Sequence, residues 1–463
     1  MKPGSQHAHA SVSTARAAAF DIVLRVERES SFASELLHSE TYDRLSLADH
    51  ALMTELVMGV LRWRSGLDCA IAASSSQPLS KLDIEVLIAL RLAVYQLRWL
   101  DRIPPRAAIH ESVELVKRAR KRSAVPFVNA VLRKLADNSL QLNIAESAAA
   151  WITAGEIASA TAHPLWLVER WVESYGLEAA SKICEYDQSV PIAAIRLRRP
   201  DAKRQLRDAR IEVECGALLA SAGRITRGKL SGTAASSTGS VVIQDEASQL
   251  VAALLGGGET ILDCCAAPGG KTAVIADRNL SANITAVELH PHRARLLRDM
   301  LRAHSREDDG PLSKVRIVAG DARHLPFATT FERILADVPC SGTGTLARNP
   351  EIKWRLRRED IADLQARQLA ILRSAMSYVA VGGRLVYSTC SLEREENEDV
   401  VERALQGNSS FRVIDCGREL EQLQRAQELV WPDPTSLTRG PFLRTIPGIQ
   451  PCDGFFAAII VRI

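Results

Sequence analysis

The second half of the chain alternates short apolar runs with amphipathic stretches, and this pattern restricts the fold more than any other feature. From Gln244 onward the strand candidates are Thr260–Asp263, Ile284–Glu288, Val315–Ala319, Arg333–Asp337, Arg384–Ser388 and Phe455–Val461. Helices are predicted between them, among them Pro291–Arg302 and Ile361–Val379. Such alternation is typical of a doubly wound parallel sheet, so we predict an α/β (Rossmann-like) domain at residues 244–463.

A chain of 463 residues is too long for one ordinary hydrophobic core, so further domains must precede this one. Residues 1–12 are predicted to be a disordered tail. Between residues 13 and 138 apolar side chains recur at helical spacing, as at Leu52, Leu56 and Val60, which predicts an all-helical domain. Residues 139–162, rich in alanine and polar side chains, are interpreted as a linker.

Residues 163–243 give mixed signals and are predicted to form a small α+β module. An amphipathic helix is expected to run through Tyr175 and to end at Gly176. Three strand-like pieces follow it, at Ile192–Leu197, Gly223–Thr226 and Ser240–Ile243. The chain is therefore predicted to be multidomain, with a helical, an α+β and an α/β part.

Cysteine usage and hydropathy limit the compartment and the kind of site. The nine cysteines are scattered without Cys-x-x-Cys pairs, which argues against a disulfide framework and a four-cysteine zinc site. No apolar run is long enough to span a bilayer, and the polar N-terminus lacks the apolar core of a secretion signal. We expect a cytoplasmic monomer with free thiols, no metal and no membrane attachment.

The net charge of +3 is too small to indicate nucleic-acid binding, but the basic residues are unevenly distributed. Between Arg91 and Leu135 there are eleven Lys or Arg against three acids, a local excess of +8 centred on the run Lys117–Arg122. Such a patch can neutralise phosphates. A solvated helix face is the equally open alternative.

The turn after the first predicted strand of the α/β domain has the features of a nucleotide pocket. In open α/β sheets ligands lie at the carboxyl ends of the strands, and Cys264–Gly270 occupies that turn. Gly269 and Gly270 permit close backbone approach, while Glu288 and Asp321 end the next two strands, where carboxylates can meet a ribose and an adenine amino group. These features alone fit a nicotinamide cofactor equally well, or a tight turn without a ligand. Two adjacent glycines, in place of Gly-x-Gly-x-x-Gly, and the two cysteines described next favour S-adenosylmethionine.

Two cysteines follow strand-like runs in the same half of the chain. Cys340 lies in Val338–Gly342 and Cys390 in Ser388–Ser391. A thiolate is a strong nucleophile for carbon 6 of a pyrimidine, and this attack activates carbon 5 for methyl transfer. The chain is therefore a candidate cytosine methyltransferase. Ordinary packing is expected for the remaining thiols outside the glycine loop, at Cys69, Cys184, Cys215, Cys416 and Cys452.

Several motifs resemble those of the RsmB/Sun family of 16S ribosomal RNA cytosine-5 methyltransferases. They occur in order at Gln244–Gln249, Asp263–Thr272, Asp337–Gly344, Arg348–Trp354, Ser388–Ser391 and Asp453–Ala457. The N-terminal part is similar to a NusB-type RNA-binding helical domain, through Glu55–Arg62, Ala107–Glu114 and Phe127–Arg133. This pairing distinguishes the RsmB type from relatives that consist of the catalytic domain alone and modify other RNAs.

The resemblance implies the cofactor, the substrate and a role for each site residue. It implies S-adenosylmethionine as cofactor, 16S ribosomal RNA as partner, Cys390 as nucleophile and Cys340 as the residue that assists product release. Asp337 is expected to stabilise the charge that develops on the cytosine ring. The implied cofactor contacts are Cys265, Ala266, Ala267, Pro268, Gly269, Gly270, Lys271, Glu288, Asp321 and Asp337.

Two positions depart from the family pattern. Glu288 stands where many relatives carry Asp, and Val338 where Ala is usual. The longer Glu288 side chain still offers two oxygens, and neither departure removes a reactive group.

Alternatives remain open at the level of sequence. The enzyme could act on another RNA such as tRNA, or the chain could be an RNA-binding, antitermination-type adaptor with a decayed enzyme attached, although the intact cysteine pair argues against decay.

Two smaller interpretations concern basic and aromatic residues. A phosphate-binding loop is one interpretation of Lys353, Arg355, Arg357 and Arg358, and a solvated helix start is the other. Core packing is favoured over base stacking for Trp63, Trp99 and Trp166.

Overall fold

The computed structural model describes residues 12–29, 31–137, 152–303 and 314–463. The predicted tail except Val12, and residues 139–151 of the predicted linker, therefore lie outside the described residues. The helices, in chain order, are α1 Thr14–Glu29, α2 Ala33–Leu37, α3 Leu47–Arg62, α4 Arg64–Ser74, α5 Ile84–Trp99, α6 Pro105–Arg118, α7 Val125–Asp137, α8 Ala154–Ala160, α9 Leu165–Tyr175, α10 Leu177–Gln188, α11 Ala202–Asp208, α12 Ala234–Ser237, α13 Glu246–Ala253, α14 Gly270–Arg278, α15 Pro291–Ala303, α16 Ile352–Arg355, α17 Asp360–Met376, α18 Glu398–Leu405 and α19 Cys416–Arg425.

The strands form two sheets. They are β1 Ala193–Leu197, β2 Glu212–Cys215, β3 Ala222–Arg227, β4 Val241–Ile243, β5 Thr260–Asp263, β6 Asn283–Glu288, β7 Arg316–Ala319, β8 Phe331–Asp337, β9 Val379–Thr389, β10 Phe411–Ile414, β11 Thr438–Arg439, β12 Phe442–Arg444 and β13 Phe456–Arg462. The small sheet has the order β2-β3-β1-β4, and the large sheet the order β11-β12-β13-β9-β8-β5-β6-β7, with β10 also paired to β13.

Contacts divide the chain into two compact units, and the first comprises the residues up to Ser189 together with Leu346–Arg355. This unit is helical in its described part, as predicted. Its core is formed by apolar side chains that recur at helical spacing, among them Leu56, Ile88 and Val131. Ser46 caps α3 by accepting a hydrogen bond from the backbone of Asp49.

Helices α9 and α10 belong to this helical unit by contact, whereas the prediction assigned residues from 163 onward to the α+β module. Their buried faces include Leu167, Trp171 and Ile183. The helical period identifies an apolar face but not the core that it covers, so these helices could not be assigned to a unit from their pattern alone. Gly176, with φ of +85°, ends α9 as predicted, but a second helix follows at once.

The segment Leu346–Arg355 carries the Arg348–Trp354 motif and is part of the helical unit. The Lys353 amino group donates hydrogen bonds to the carbonyls of Arg62 (3.0 Å) and Ala162 (3.2 Å), and the Trp354 indole donates to the carbonyl of Leu61 (2.6 Å). The bonds to Leu61 and Arg62 satisfy carbonyls in the last turn of α3, which have no partner within the helix.

The phosphate-loop interpretation is therefore wrong for Lys353, which is only 1% exposed. Burial also lowers the pKa of Lys353 to about 7. The Arg355 guanidinium is likewise committed inside the unit, because it donates to the carbonyls of Val26 and Ser31. Arg357 and Arg358 are exposed, and their role as phosphate contacts stays a prediction.

The second unit, Val190–Thr345 with Leu356–Ile463, contains both sheets. The small sheet is antiparallel throughout and includes the three strands that were predicted. The fourth, β2, was missed because its sequence Glu-Val-Glu-Cys is mostly exposed and carries no run of apolar residues.

All six predicted strands of the α/β domain are present, and five of them, β7, β6, β5, β8 and β9, are parallel. The C-terminal strand β13 differs from the prediction of a parallel sheet, because it pairs antiparallel with β9. A strand's apolar pattern does not reveal its direction. The carboxyl ends of the five parallel strands meet at one edge of the sheet. No helix among the residues described is both long and apolar enough to cross a membrane.

Candidate active site

The two cysteines singled out in the sequence lie side by side at this edge. Strands β8 and β9 are parallel neighbours, with Asp337 opposite Ser388, so the loops that follow them leave the sheet at the same level. As a result the sulfur atoms of Cys340 and Cys390 are 3.3 Å apart. Both cysteines are half-buried.

The surroundings of Cys340 favour its protonated form. Its hydrogen bond with the Cys390 sulfur and its burial together raise the pKa of Cys340 well above the usual value of a thiol. A thiol in this position can donate its proton to the neighbouring sulfur. The pair therefore keeps a proton on Cys340, next to a second sulfur atom.

One buried carboxylate, Glu396, is bonded to the loops of both cysteines. Its Oε1 atom accepts hydrogen bonds from the backbone N–H of Ser341 (2.8 Å) and the amide of Gln368 (2.8 Å). Its Oε2 atom accepts from the hydroxyls of Ser341 and Ser391. Ser341 directly follows Cys340 and Ser391 directly follows Cys390, so a single carboxylate, itself 0% exposed, fixes the residue next to each thiol.

Sequence reasoning missed Glu396. It lies in the run Glu393–Glu398, which contains four glutamates and resembles the solvated start of a helix. The available signal was indirect. Each cysteine is followed by a serine, and two buried serines near two thiols require a common hydrogen-bond acceptor.

The Asp453–Ala457 motif also contacts the two loops. The backbone N–H of Gly344 donates to the carbonyl of Cys390 (2.9 Å), and that of Gly454 donates to the carbonyl of Gly344 (2.7 Å). A β-carbon on Gly344 would come within 2.2 Å of the Gly454 carbonyl oxygen, so only glycine fits there. Arg444 donates to the carbonyl of Ser391 and forms a two-bond ion pair with Glu398.

Asp337, at the end of β8, is held by two neighbours. Lys271 donates to one carboxylate oxygen (2.7 Å) and the Ser388 hydroxyl to the other (2.8 Å). Burial alone would lower the pKa of Lys271, but the charge and hydrogen bond of Asp337 more than offset this, and the net shift is upward. Lys271 is therefore a cation that orders Asp337.

The predicted cofactor loop follows β5 and leads into α14. Gly269 has φ of +113°, and a β-carbon there would lie 2.1 Å from the terminal carbon of Met300, so this position requires glycine. Asp263, below the loop, accepts a hydrogen bond from the Thr272 hydroxyl (2.7 Å), and burial raises its pKa to about 6. The other predicted contacts of the loop, Cys265, Ala266, Ala267, Pro268 and Gly270, lie in the same turn.

The predicted cofactor acids end neighbouring strands at this edge. Glu288 is 5% exposed, and one of its carboxylate oxygens accepts from the backbone of His290 (3.1 Å). Among the described residues the other oxygen has no partner, so it is available to a ribose hydroxyl. Asp321, after β7, is paired with the guanidinium of Arg323, which lowers the pKa of Asp321. The bare glycine turn and the strand-end carboxylates fit an adenosine group.

The basic run of the helical unit is partly neutralised. Lys117 pairs with Glu114 (2.7 Å), Arg118 with Asp21 (2.7 Å) and Lys121 with Asp83 (3.0 Å). These pairs are partly or largely exposed, and such pairs contribute little to stability, so they can exchange for contacts with phosphates. The aromatic side chains of Trp63 and Trp99 stack on each other, with centroids 5.2 Å apart, and both pack against the helical core, as predicted.

The carboxyl edge of the five parallel strands thus carries a glycine turn, strand-end acids and two adjacent thiols. Comparison with known proteins gives the family. Residues 251–461 match the model described as 16S rRNA methyltransferase RsmB/F, and residues 13–137 match the NusB family. The chain belongs to the RsmB/F methyltransferase family, with a NusB domain at its N-terminus, and is an enzyme.

The curated relatives match along nearly the whole chain. The chain is 35% identical to the probable ribosomal RNA small subunit methyltransferase B of Bacillus subtilis, over 95% of this chain and 96% of that protein. It is 32% identical to the protein of the same name from Synechocystis, over 96% of this chain and 98% of that one.

A solved structure confirms the fold. The crystal structure of PH0851 has a TM-score of 0.77, at 23% identity, and covers 97% of this chain and 98% of its own. At this level of identity the likeness supports the fold only.

Replacing Glu396 by Gln tests its contribution to the site. An amide of the same size cannot accept all four hydrogen bonds, and its N–H group would face other donors. We expect methyl transfer to fall by about tenfold to a hundredfold and the free energy of unfolding to fall by about 1–3 kcal/mol. Labelled-methyl assays and denaturant titration measure the two effects. Glu402→Gln, which alters an exposed residue of α18, is the matched control. Equal activity in both variants would contradict a role for Glu396.

Proposed function

We propose that this enzyme transfers the methyl group of S-adenosylmethionine to carbon 5 of a cytosine in 16S ribosomal RNA, through a covalent adduct on Cys390. The observation that carries the proposal is the 3.3 Å separation of the Cys340 and Cys390 sulfur atoms. Two thiols at this distance can divide nucleophilic attack and proton transfer between them. The small-subunit ribosomal RNA named in the relatives supports the choice of substrate.

Cys390 makes and breaks the covalent bond. Its thiolate adds to carbon 6, and the electron pair of the carbon 5–carbon 6 double bond shifts toward carbon 5. When bound, S-adenosylmethionine supplies an electrophilic methyl group to that carbon. Solvent water, acting as base, then accepts the proton from carbon 5, the electrons of that C–H bond restore the double bond, and the carbon 6–sulfur bond breaks to release Cys390 as a thiolate.

Cys340 and Asp337 assist two different steps of the reaction. Cys340 holds a proton beside the Cys390 sulfur and assists the elimination that releases the product. Asp337, ordered by Lys271 and Ser388, accepts a hydrogen bond from the cytosine edge, at the amino group or at a ring nitrogen that solvent has protonated, and stabilises the charge that develops during attack.

The cofactor would be held at the neighbouring strand ends. The turn Cys265–Lys271 offers backbone groups and the start of α14, Glu288 binds the ribose hydroxyls, and Asp321 and Asp337 complete the polar wall. No step of the proposal requires a metal ion.

The RNA must present an unstacked cytosine, which is least costly in a single-stranded loop. The NusB domain is proposed to bind RNA, with the Lys117–Arg122 run as a contact to phosphates. Methylation of another RNA, such as tRNA, is the alternative substrate class. Mapping methylcytosine in ribosomal RNA from a deletion strain decides between them and identifies the nucleotide.

Replacing each of the two cysteines by alanine should have a different effect on the reaction. Cys390→Ala should abolish both methylation and any covalent RNA adduct, because we expect no other nucleophile to reach carbon 6. Cys340→Ala should form the adduct and resolve it slowly, so that protein accumulates on methylated RNA as a slowly migrating species on a denaturing gel. If the Cys390→Ala variant accumulated the covalent RNA adduct and the Cys340→Ala variant formed none, the roles of the two cysteines would be reversed.

Glu288 tests the cofactor site independently of RNA. The carboxylate is buried, so Glu288→Gln is preferred to alanine because it preserves the shape of the pocket. Loss of one charge-assisted hydrogen bond to a ribose hydroxyl, about 1.5–3 kcal/mol, should weaken S-adenosylmethionine binding by about tenfold to a hundredfold. Calorimetry measures the change, with Glu259→Gln, at an exposed position, as the control. Unchanged affinity in Glu288→Gln would defeat the pocket assignment.

A further inference from the structure

Helix α15 has one buried side and one strongly basic side. Ala294, Leu297 and Leu301 are buried and pack toward the core of the second unit. Arg295, Arg298 and Arg302 are exposed and follow at spacings of three and four residues, which puts them along one flank of the helix. At 1.5 Å per residue this arginine stripe is about 10 Å long. The sequence analysis did not single it out.

The stripe has no acidic partner among the described residues. None of its three arginines forms an ion pair or a hydrogen bond there, and Asp299, the one acid in the sequence of the helix, is not paired with them. The next acids in the chain, Glu307, Asp308 and Asp309, lie outside the described residues. Other exposed arginines are paired: Arg227 with Glu212, Arg394 with Asp399 and Arg425 with Glu421.

This charge arrangement does little for the stability of the helix. Arg298 repels Arg295 and Arg302 at spacings of three and four residues, and Arg293 and Arg295 lie near the N-terminal end, where the helix dipole favours acids. Only Arg302, in the last turn, is favoured by the dipole, and Asp299 offsets part of the repulsion. The folding of α15 therefore does not account for Arg295 and Arg298. An anion bound along the stripe would remove the repulsion.

The helix is also fixed to the cofactor turn. It begins three residues after Glu288, and its side chains Leu297 and Met300 lie against the backbone of Gly269, within 2.6 Å of where a β-carbon would be. A ligand on the stripe would thus be bound by the second unit, which also carries the cysteine pair.

We propose that Arg295, Arg298 and Arg302 form a second contact surface for the phosphate backbone of the substrate RNA, in addition to the NusB domain. The proposal rests on the proposed function for the identity of the anion. Phosphates of one strand follow at about 3.4 Å along a helix axis, so a stripe of about 10 Å can meet about three of them. Guanidinium groups bind phosphate in two-bond geometry. Contacts of this kind position the RNA and carry no sequence information.

The test compares two triple variants that change net charge equally. In one, Arg295, Arg298 and Arg302 are replaced by Gln. In the other, the paired and exposed Arg227, Arg394 and Arg425 are replaced by Gln. Affinity for a 16S ribosomal RNA transcript is measured at several salt concentrations, and cofactor binding is measured by calorimetry as a check on the fold.

We expect the stripe variant to bind the transcript at least tenfold more weakly, with the slope of log affinity against log salt smaller by about 2, since each single-strand phosphate contact contributes about 0.7. The same reduction is expected with an unrelated single-stranded RNA, and cofactor affinity should not change. Equal slopes for the two variants would overturn the proposal. Failure of the wild-type enzyme to methylate the transcript would overturn the proposed function instead, and would leave the slope comparison unaffected.

Discussion

The buried carboxylate of Glu396 is the interaction on which the candidate site depends. A charge without access to water is costly unless its hydrogen bonds are satisfied, and here four donors satisfy it. Two donors belong to Ser341 and one to Ser391, the residues that follow the two thiols. The same network therefore stabilises the carboxylate and fixes the distance between the sulfur atoms. The parallel pairing of β8 with β9 brings the loops together, and Glu396 sets their final geometry.

The motifs shared with the family divide into chemical and architectural ones. Asp337–Gly344 and Ser388–Ser391 supply the thiols and the acid, whereas Gly454 supplies a position where only glycine allows two backbones to meet. The Arg348–Trp354 motif has yet another use. Its Lys353 and Trp354 side chains bond to the last turn of α3, so a segment from the methyltransferase half of the sequence contributes to the fold of the helical unit.

Much of this architecture was predictable because the strands of the parallel sheet are apolar and end at functional residues. The thiols and the glycine turn follow from strand ends, since parallel strands bring their carboxyl ends to one edge. The short strands β10, β11 and β12, the exposed strand β2 and the direction of β13 were not predictable, because none produces a distinct apolar pattern. The burial of Glu288 was also hidden, since strand position alone does not determine solvent access.

Sequence reasoning also missed two charged residues that are buried. Glu396 and Lys353 lie in charged runs that indicate a solvated surface, and only their tertiary partners make burial favourable. Among the basic residues, prominence in the sequence did not indicate which side chains lack an acidic partner. The conspicuous Lys117–Arg122 run is partly paired with acids, while the less conspicuous arginines of α15 have no partner among the residues described.

The central claim is that Cys390 forms the covalent bond to the RNA while Cys340 does not. The most direct measurement uses ribosomal RNA that contains 5-fluorocytidine, whose fluorine blocks loss of the group on carbon 5 and preserves the adduct. The wild-type protein is incubated with this RNA and S-adenosylmethionine, and the nucleotide-bearing peptide is identified by mass spectrometry. We predict that the modified peptide contains Cys390. A modified peptide that contains Cys340, or no adduct on either cysteine although methyl groups are transferred to unsubstituted RNA, would contradict the account.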